Sequence, residues 1–207
     1  MMETYNKLEN EQLLLSEGCK YIAGIDEVGR GPLCGPVVCA AVILPLDDII
    51  EGIDDSKKLS KKKREKLYDE ITQKAISYSV CRIEHDEIDK INILNATKKC
   101  MASTIESLNI KPDAVIIDAI KLDIPYKTLS IIKGDAKSYL IGAASIIAKV
   151  TRDRIMEEYS KIYPNYGFER NSGYGTKEHI NAIKEFGACE IHRKTFIKNF
   201  LVEKEKI

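Results

Sequence analysis

The chain predicts a single α/β domain, a mixed central sheet flanked by helices, with a helical C-terminal region. Three observations carry this. Short apolar runs bounded by turn residues come first, and stretches of helical periodicity mix in later. No internal repeat or Pro/Ser linker divides them. The 207 residues, 44% hydrophobic and 31% charged, suit one well-buried core and are short for two. The domain is therefore expected over 1–207, with its helical part over roughly 164–207.

Residues 4–18 read as a short polar helix around Leu13-Leu14-Leu15. Residues 21–26 form an apolar run ending in two carboxylates, and 37–44 a second strand stopped by Pro45. Between them, Gly29-Arg30-Gly31-Pro32-Leu33-Cys34-Gly35-Pro36 suits neither helix nor strand interior, so the two strands should pair antiparallel through a tight connection. Ser60 is placed to cap a helix reaching about Ala75, and 76–83 alternates like a strand. Residues 93–108 are helical, with Leu94, Met101, Ile105 and Leu108 on one stripe. Residues 114–117 and 129–132 are further strands. The longest helix is expected from Ala136 to about Ile162, turning Ile141, Ala144, Ile147, Ala148 and Ile155 inward. Past Pro164 a glycine-rich loop leads to a helix over about 176–186.

The 32 basic and 32 acidic residues balance, so any nucleic-acid contact must rest on local patches. Six cysteines without a C-x-x-C pair read as small buried thiols in a reducing compartment, and the three histidines lack zinc-like spacing. The first 17 residues carry no signal-type apolar segment. No run approaches the ~20 apolar residues that span a bilayer. A soluble, cytoplasmic protein with no membrane partner is expected.

Two apolar strands run into acids, one into Asp26-Glu27 and one into Asp118. A strand end meets solvent, where one Asp is comfortable. Two such ends, one with adjacent acids before a glycine-rich turn, point to a site. Adjacent strand residues face opposite ways, so Asp26 and Glu27 share a site only if the chain bends, which Gly29 and Gly31 make cheap. Asp135, in Lys133-Gly134-Asp135, is either a further partner or an ordinary N-cap. Converging carboxylates without His or Cys suit hard cations, Mg²⁺ or Mn²⁺. Two such ions ~4 Å apart can activate a water and stabilise the leaving oxygen. Without them the acids repel one another. Residues 57–66 hold seven basic side chains, several in a first helical turn where the dipole disfavours them. They are a solvated run or a patch that tracks duplex phosphates.

Together these segments resemble ribonuclease HII, the type 2 ribonuclease H. The motifs are Gly24-Ile25-Asp26-Glu27-Val28-Gly29-Arg30-Gly31-Pro32 with Gly35-Pro36, Asp55-Ser56-Lys57-Lys58-Leu59, Ile117-Asp118 and Lys133-Gly134-Asp135. Ala143-Ala144-Ser145-Ile146-Ile147-Ala148-Lys149-Val150-Thr151-Arg152-Asp153-Arg154 and Gly173-Tyr174-Gly175-Thr176 complete the set, in order, over about residues 20–196. The resemblance implies a ribonuclease H-like fold and a metal-dependent endonuclease that acts on RNA/DNA hybrids. It also implies cutting 5′ to single ribonucleotides in duplex DNA, leaving 3′-hydroxyl and 5′-phosphate. By position Asp26, Glu27, Asp118 and Asp135 match the metal-binding carboxylates, with two Mn²⁺ or Mg²⁺ ions when substrate is bound. Gly29, Arg30 and Gly31 match the loop that reads the 2′-hydroxyl, the group that separates RNA from DNA. Tyr174 matches the aromatic that stacks on the following sugar, and Lys57 and Lys58 fall among the substrate contacts. A monomer is expected.

Ser172 stands where a lysine is common, and Leu140 and Gly142 where a Ser and an Ala are expected, leaving the acids untouched. Ribonuclease HIII is disfavoured by Arg30 and by the lack of room for an added N-terminal domain. A junction resolvase would share the acids but not Gly29-Arg30-Gly31 or Tyr174. A non-catalytic binding module would be expected to have lost an acid, and the glycine-rich loop matches no nucleotide-binding pattern. His179 and His192 fit a structural role as well as a catalytic one. Residues 202–207 show no docking motif.

Overall fold

Strand β1 (Ile22–Val28) lies at the centre of a five-stranded sheet ordered β3-β2-β1-β4-β5 in the computed structural model, which describes residues 7–201. The connection rich in Gly and Pro returns the chain as antiparallel β2 (Val37–Ile43), with β3 (Ser77–Ile83) antiparallel beyond it. On the other side β4 (Ala114–Asp118) and β5 (Lys127–Ile131) run parallel to β1. A parallel neighbour needs a long crossover. Helices α2 (Lys61–Lys74), α3 (His85–Ile91) and α4 (Ile93–Glu106) supply it together with β3. Ser60 caps α2 as expected, its hydroxyl accepting from the Lys63 N–H at 3.3 Å.

Every residue of β2 is buried, as a continuous apolar run in a covered sheet requires. The two-residue period divides the core. Ile22, Ala40, Val42 and Ile116 pack with Ile141, Ala144 and Ile147. Ala23, Ile25, Ala41 and Val115 pack with Cys100, Met101 and Ile105 of α4. Leu94 is 45% exposed, so the buried stripe of α4 lies instead through Ala96, Thr97, Cys100, Met101, Thr104 and Ile105.

The long helix expected from Ala136 is two helices. α5 (Gly134–Lys137) ends at Ser138, whose backbone is extended (φ −120°, ψ 132°) and whose hydroxyl accepts from the Ile141 N–H to start α6 (Tyr139–Ile162). Buried Glu11 of α1 (Glu9–Ser16) accepts from the Ser138 hydroxyl at 2.6 Å and the Leu140 N–H at 3.1 Å. A carboxylate at a helix N-terminus complements its dipole and fixes where α6 begins. Residues 4–6 of the expected first helix lie outside the described residues, as do 202–207. On α6, Met156 takes the buried place expected of Ile155. In the C-terminal part, α7 (Phe168–Asn171), α8 (Lys177–Phe186) and α9 (Lys194–Leu201) pack around Phe168, Ile183 and Ile197 against Leu33, Cys34 and Met156. The sequence reading resolved only α8 among these three. Among the described residues no helix is long and apolar enough to cross a membrane.

Candidate active site

β1 does not bend at its acids. It stays paired with β2 through Asp26↔Ala40, Glu27↔Cys39 and Val28↔Val38, and Gly29 (φ +95°) ends it. The two carboxylates leave opposite faces yet line one cleft of about 320 Å³, because the sheet ends there and the cleft wraps its end. Asp118 closes β4 one step past the Ile25↔Ile117 pair, beside Asp26. Asp135 lies in the first turn of α5 but is not its N-cap. The N-cap is Lys133, in the left-handed region (φ 60°, ψ 50°). That turn seats Gly134 so tightly that a Cβ there would lie 3.2 Å from the Asp118 Cβ and 2.5 Å from Ile141 Cδ1.

Asp26 feels the other three acids. Asp26 opens onto the cleft but is closely surrounded by protein, and this desolvation, then Glu27, Asp135 and Asp118, holds its carboxyl well above the usual range. Burial raises Glu27 against the pull of Arg30, whose Nη1 is 3.3 Å away. Burial and then Asp55 raise Asp135 against Lys57, at 3.9 Å. The two cations stand at the rim, with side chains 43% and 80% exposed, so neither neutralises the cluster from within. Oxygen-only donors with uncompensated negative charge fit hard divalent cations such as Mg²⁺ or Mn²⁺.

The other expected residues divide. Lys57 and Tyr174 line the cleft, whereas Lys58 turns to Asp54 at 3.6 Å. Tyr174 meets the glycine-rich loop, its Cε1 3.6 Å from where a Cβ on Gly31 would sit. The basic run is partly tied down. Lys61 pairs with Glu157, and Arg64 donates to the Ser56 carbonyl at 3.0 Å while lining the cleft. Lys149 and Ser145, four residues apart on α6, also line it and were not singled out from sequence. The available signal was a lysine that is the first charged residue of its helix, after ten uncharged ones. Leu140 is buried against β1 and Gly142 against Ile53 and the Asp135 carbonyl, neither lining the cleft, and the Ser172 carbonyl accepts from buried Arg152 at 3.0 Å.

A second cluster, which spacing did not reveal, brings ligand atoms of Cys34, His179 and His192 within 4.8 Å of one another. Hydrogen bonds account for both rings. The Cys189 N–H donates to His192 Nδ1 (3.0 Å), which fixes the His192 proton on Nε2, where it faces His179 Nε2 (3.0 Å). His179 Nδ1 then donates to the Tyr174 carbonyl (3.0 Å). Two neutral imidazoles form a structural post under Tyr174, and the positive charges of Arg152 and Arg193 beside Cys34 oppose a cation there.

Burial lowers His179, and burial with His179 beside it takes His192 down to about 4. Unfolded histidines titrate near 6.5, so between those values the unfolded chain binds more protons and stability falls as pH falls. The contribution is fully present above about 6.5, and His192 should lose about 2 kcal/mol of it by pH 5. Urea midpoints at pH 7.5 and pH 5, compared with those of His192→Gln, measure this. Equal pH slopes in both proteins would refute the neutral pair.

Comparison with known proteins identifies the family. A family model described as Ribonuclease HII matches residues 23–199. A ribonuclease HII of Ruminiclostridium cellulolyticum is 55% identical over 202 residues, 97% of this chain and 79% of that protein. One from Caldicellulosiruptor saccharolyticus is 54% identical over 199 residues, 95% and 96% of the two chains. Among solved structures, the ribonuclease H2 from Pyrococcus horikoshii OT3 superposes with a TM-score of 0.78 at 28% identity, covering 91% of this chain and all of that one.

Proposed function

The chain belongs to the ribonuclease HII family of metal-dependent endoribonucleases, and from that premise we propose that it cuts the RNA strand of RNA/DNA hybrids and nicks duplex DNA on the 5′ side of a single embedded ribonucleotide. The observation that carries this reading is the clustering of Glu27, Asp118 and Asp135 about Asp26, where Asp26, Glu27 and Tyr174 line one cleft and the Tyr174 ring lies beside Gly31.

Each side chain has a task in that reading. Asp26, Glu27, Asp118 and Asp135 hold two divalent ions, Mn²⁺ or Mg²⁺. When bound, these supply an activated water and stabilise the leaving 3′-oxygen, giving 3′-hydroxyl and 5′-phosphate products. Lys57, Lys149 and Arg64 line the cleft as phosphate-facing cations, which makes binding fall as salt rises. The exposed Tyr174 ring offers a flat face for the sugar after the ribonucleotide. The loop Gly29-Arg30-Gly31 approaches the ribose by its backbone.

Incubation with duplex DNA carrying one ribonucleotide, beside an all-DNA duplex, tests the reading. Nicking of the first alone, with 3′-hydroxyl ends and complete loss in excess chelator, is expected. Equal cutting of both duplexes, or cutting that survives chelation, would sink it.

A further inference from the structure

The two bulkiest fully buried side chains are both charged, Arg152 and Arg193. Among the described residues neither forms an ion pair. Their partners are carbonyls. Arg193 donates from Nε to Gly35 (3.0 Å), from Nη1 to Arg30 (3.0 Å) and Pro32 (2.9 Å), and from Nη2 to Gly29 (2.6 Å) and Gly35 (2.9 Å). Its backbone N–H takes the Leu33 carbonyl at 2.9 Å. Arg152 donates to Pro36 (3.0 Å) and Cys34 (3.3 Å), and across to Ser172 (3.0 Å). Over residues 29–36, only the Gly31 carbonyl escapes this grip.

Burying a guanidinium without an anion is costly, and an apolar side chain would fill the same space more favourably. The arrangement answers a need for donors. Burial and the neighbouring Arg152 lower Arg193 to about 9, so it still carries its charge at pH 7. In a trans peptide the C=O and the following N–H point opposite ways. Drawing the Gly29 and Arg30 carbonyls inward therefore turns the N–H groups of Arg30 and Gly31 outward. Both residues are exposed, and neither N–H has a hydrogen-bond partner among the described residues. Gly31 stands beside the Tyr174 ring, which lines the cleft.

We propose that Arg193, backed by Arg152, is the positioning residue for ribose recognition, aiming the Arg30 and Gly31 N–H groups at the 2′-hydroxyl oxygen. This rests on the function proposed above. It explains why the residue is arginine. Five donors in a rigid fork satisfy four carbonyls at once, whereas the ammonium of a lysine has three donors and no fork.

Binding separates positioning from mere stability. In an Asp118→Asn background, to block hydrolysis, a duplex with one ribonucleotide competes against the same duplex in all-DNA form. Arg193→Lys should lower the ribonucleotide preference about tenfold while affinity for the all-DNA duplex changes less than about twofold. Arg152→Lys is measured alongside, with circular dichroism on both, so that if one variant fails to fold the other decides. A preference kept intact in a folded variant, or an equal loss on both duplexes, would overturn the proposal. A parent protein with no ribonucleotide preference would overturn the function reading itself, a result visible before any arginine is changed.

Discussion

Asp118→Asn should abolish turnover while leaving the fold as stable as before. Asp118 sits at the end of β4 with its backbone paired to β5, and the change keeps the side chain's shape. What it removes is one of the negative charges that lift Asp26. Losing that repulsion costs the fold nothing, so melting in the presence of chelator should occur at or above the wild-type temperature. Activity should fall by roughly a hundredfold or more, ~2.7 kcal/mol of transition-state stabilisation, because an amide is a weaker, neutral ligand for a hard cation. A variant that kept more than about a tenth of the rate, a loss below ~1.4 kcal/mol, would remove Asp118 from the set of ligands. A fall in both activity and melting temperature would point to misfolding instead.

Local chemistry made several pieces legible in the sequence. The unbroken apolar run of β2, the Ser60 cap and the two acids ending β1 and β4 each announce themselves within a few residues. The sites that escaped depend on partners far away in the chain. The roles of Arg152 and Arg193 had no local signal, because the loop carbonyls they hold over residues 29–36 lie 116 to 164 residues distant. The Ser138 break has a local signal, a serine that caps the apolar run after it, and buried Glu11, 127 residues away, fixes it from a distance. Asp26 and Glu27 were expected to need a bend. The alternation rule is sound along a strand, but where a strand ends a cleft can collect side chains from both faces. The expected ribonuclease H-like fold itself stands, as the superposition on the Pyrococcus horikoshii enzyme shows.

Gly24→Ala should be the most damaging single methyl added to this chain. Gly24 faces α6, two residues before Asp26, and a Cβ there would fall 2.3 Å from the Leu140 carbonyl carbon and 2.6 Å from the Ile141 nitrogen. These are backbone atoms at the start of a helix already fixed by Ser138 and Glu11, so no side chain can swing aside. β1 and α6 must separate, opening a contact inside the core they share. Overpacking of this kind costs about 3 kcal/mol or more, which for a protein of this size lowers the melting temperature by roughly 6–12 °C. The same displacement moves α5, and Asp135 with it, away from Asp26, so residual activity measured well below the melting temperature should also drop. Gly31→Ala is the contrast. A Cβ there meets only Tyr174 Cε1, at an ordinary 3.6 Å, so stability should stay within about 0.5 kcal/mol and any effect should appear in substrate binding. Calorimetry of the two variants decides the matter. Melting of Gly24→Ala within about 1 °C of wild type would show that the helix start is free to move, contrary to the pinning by Glu11 and Ser138.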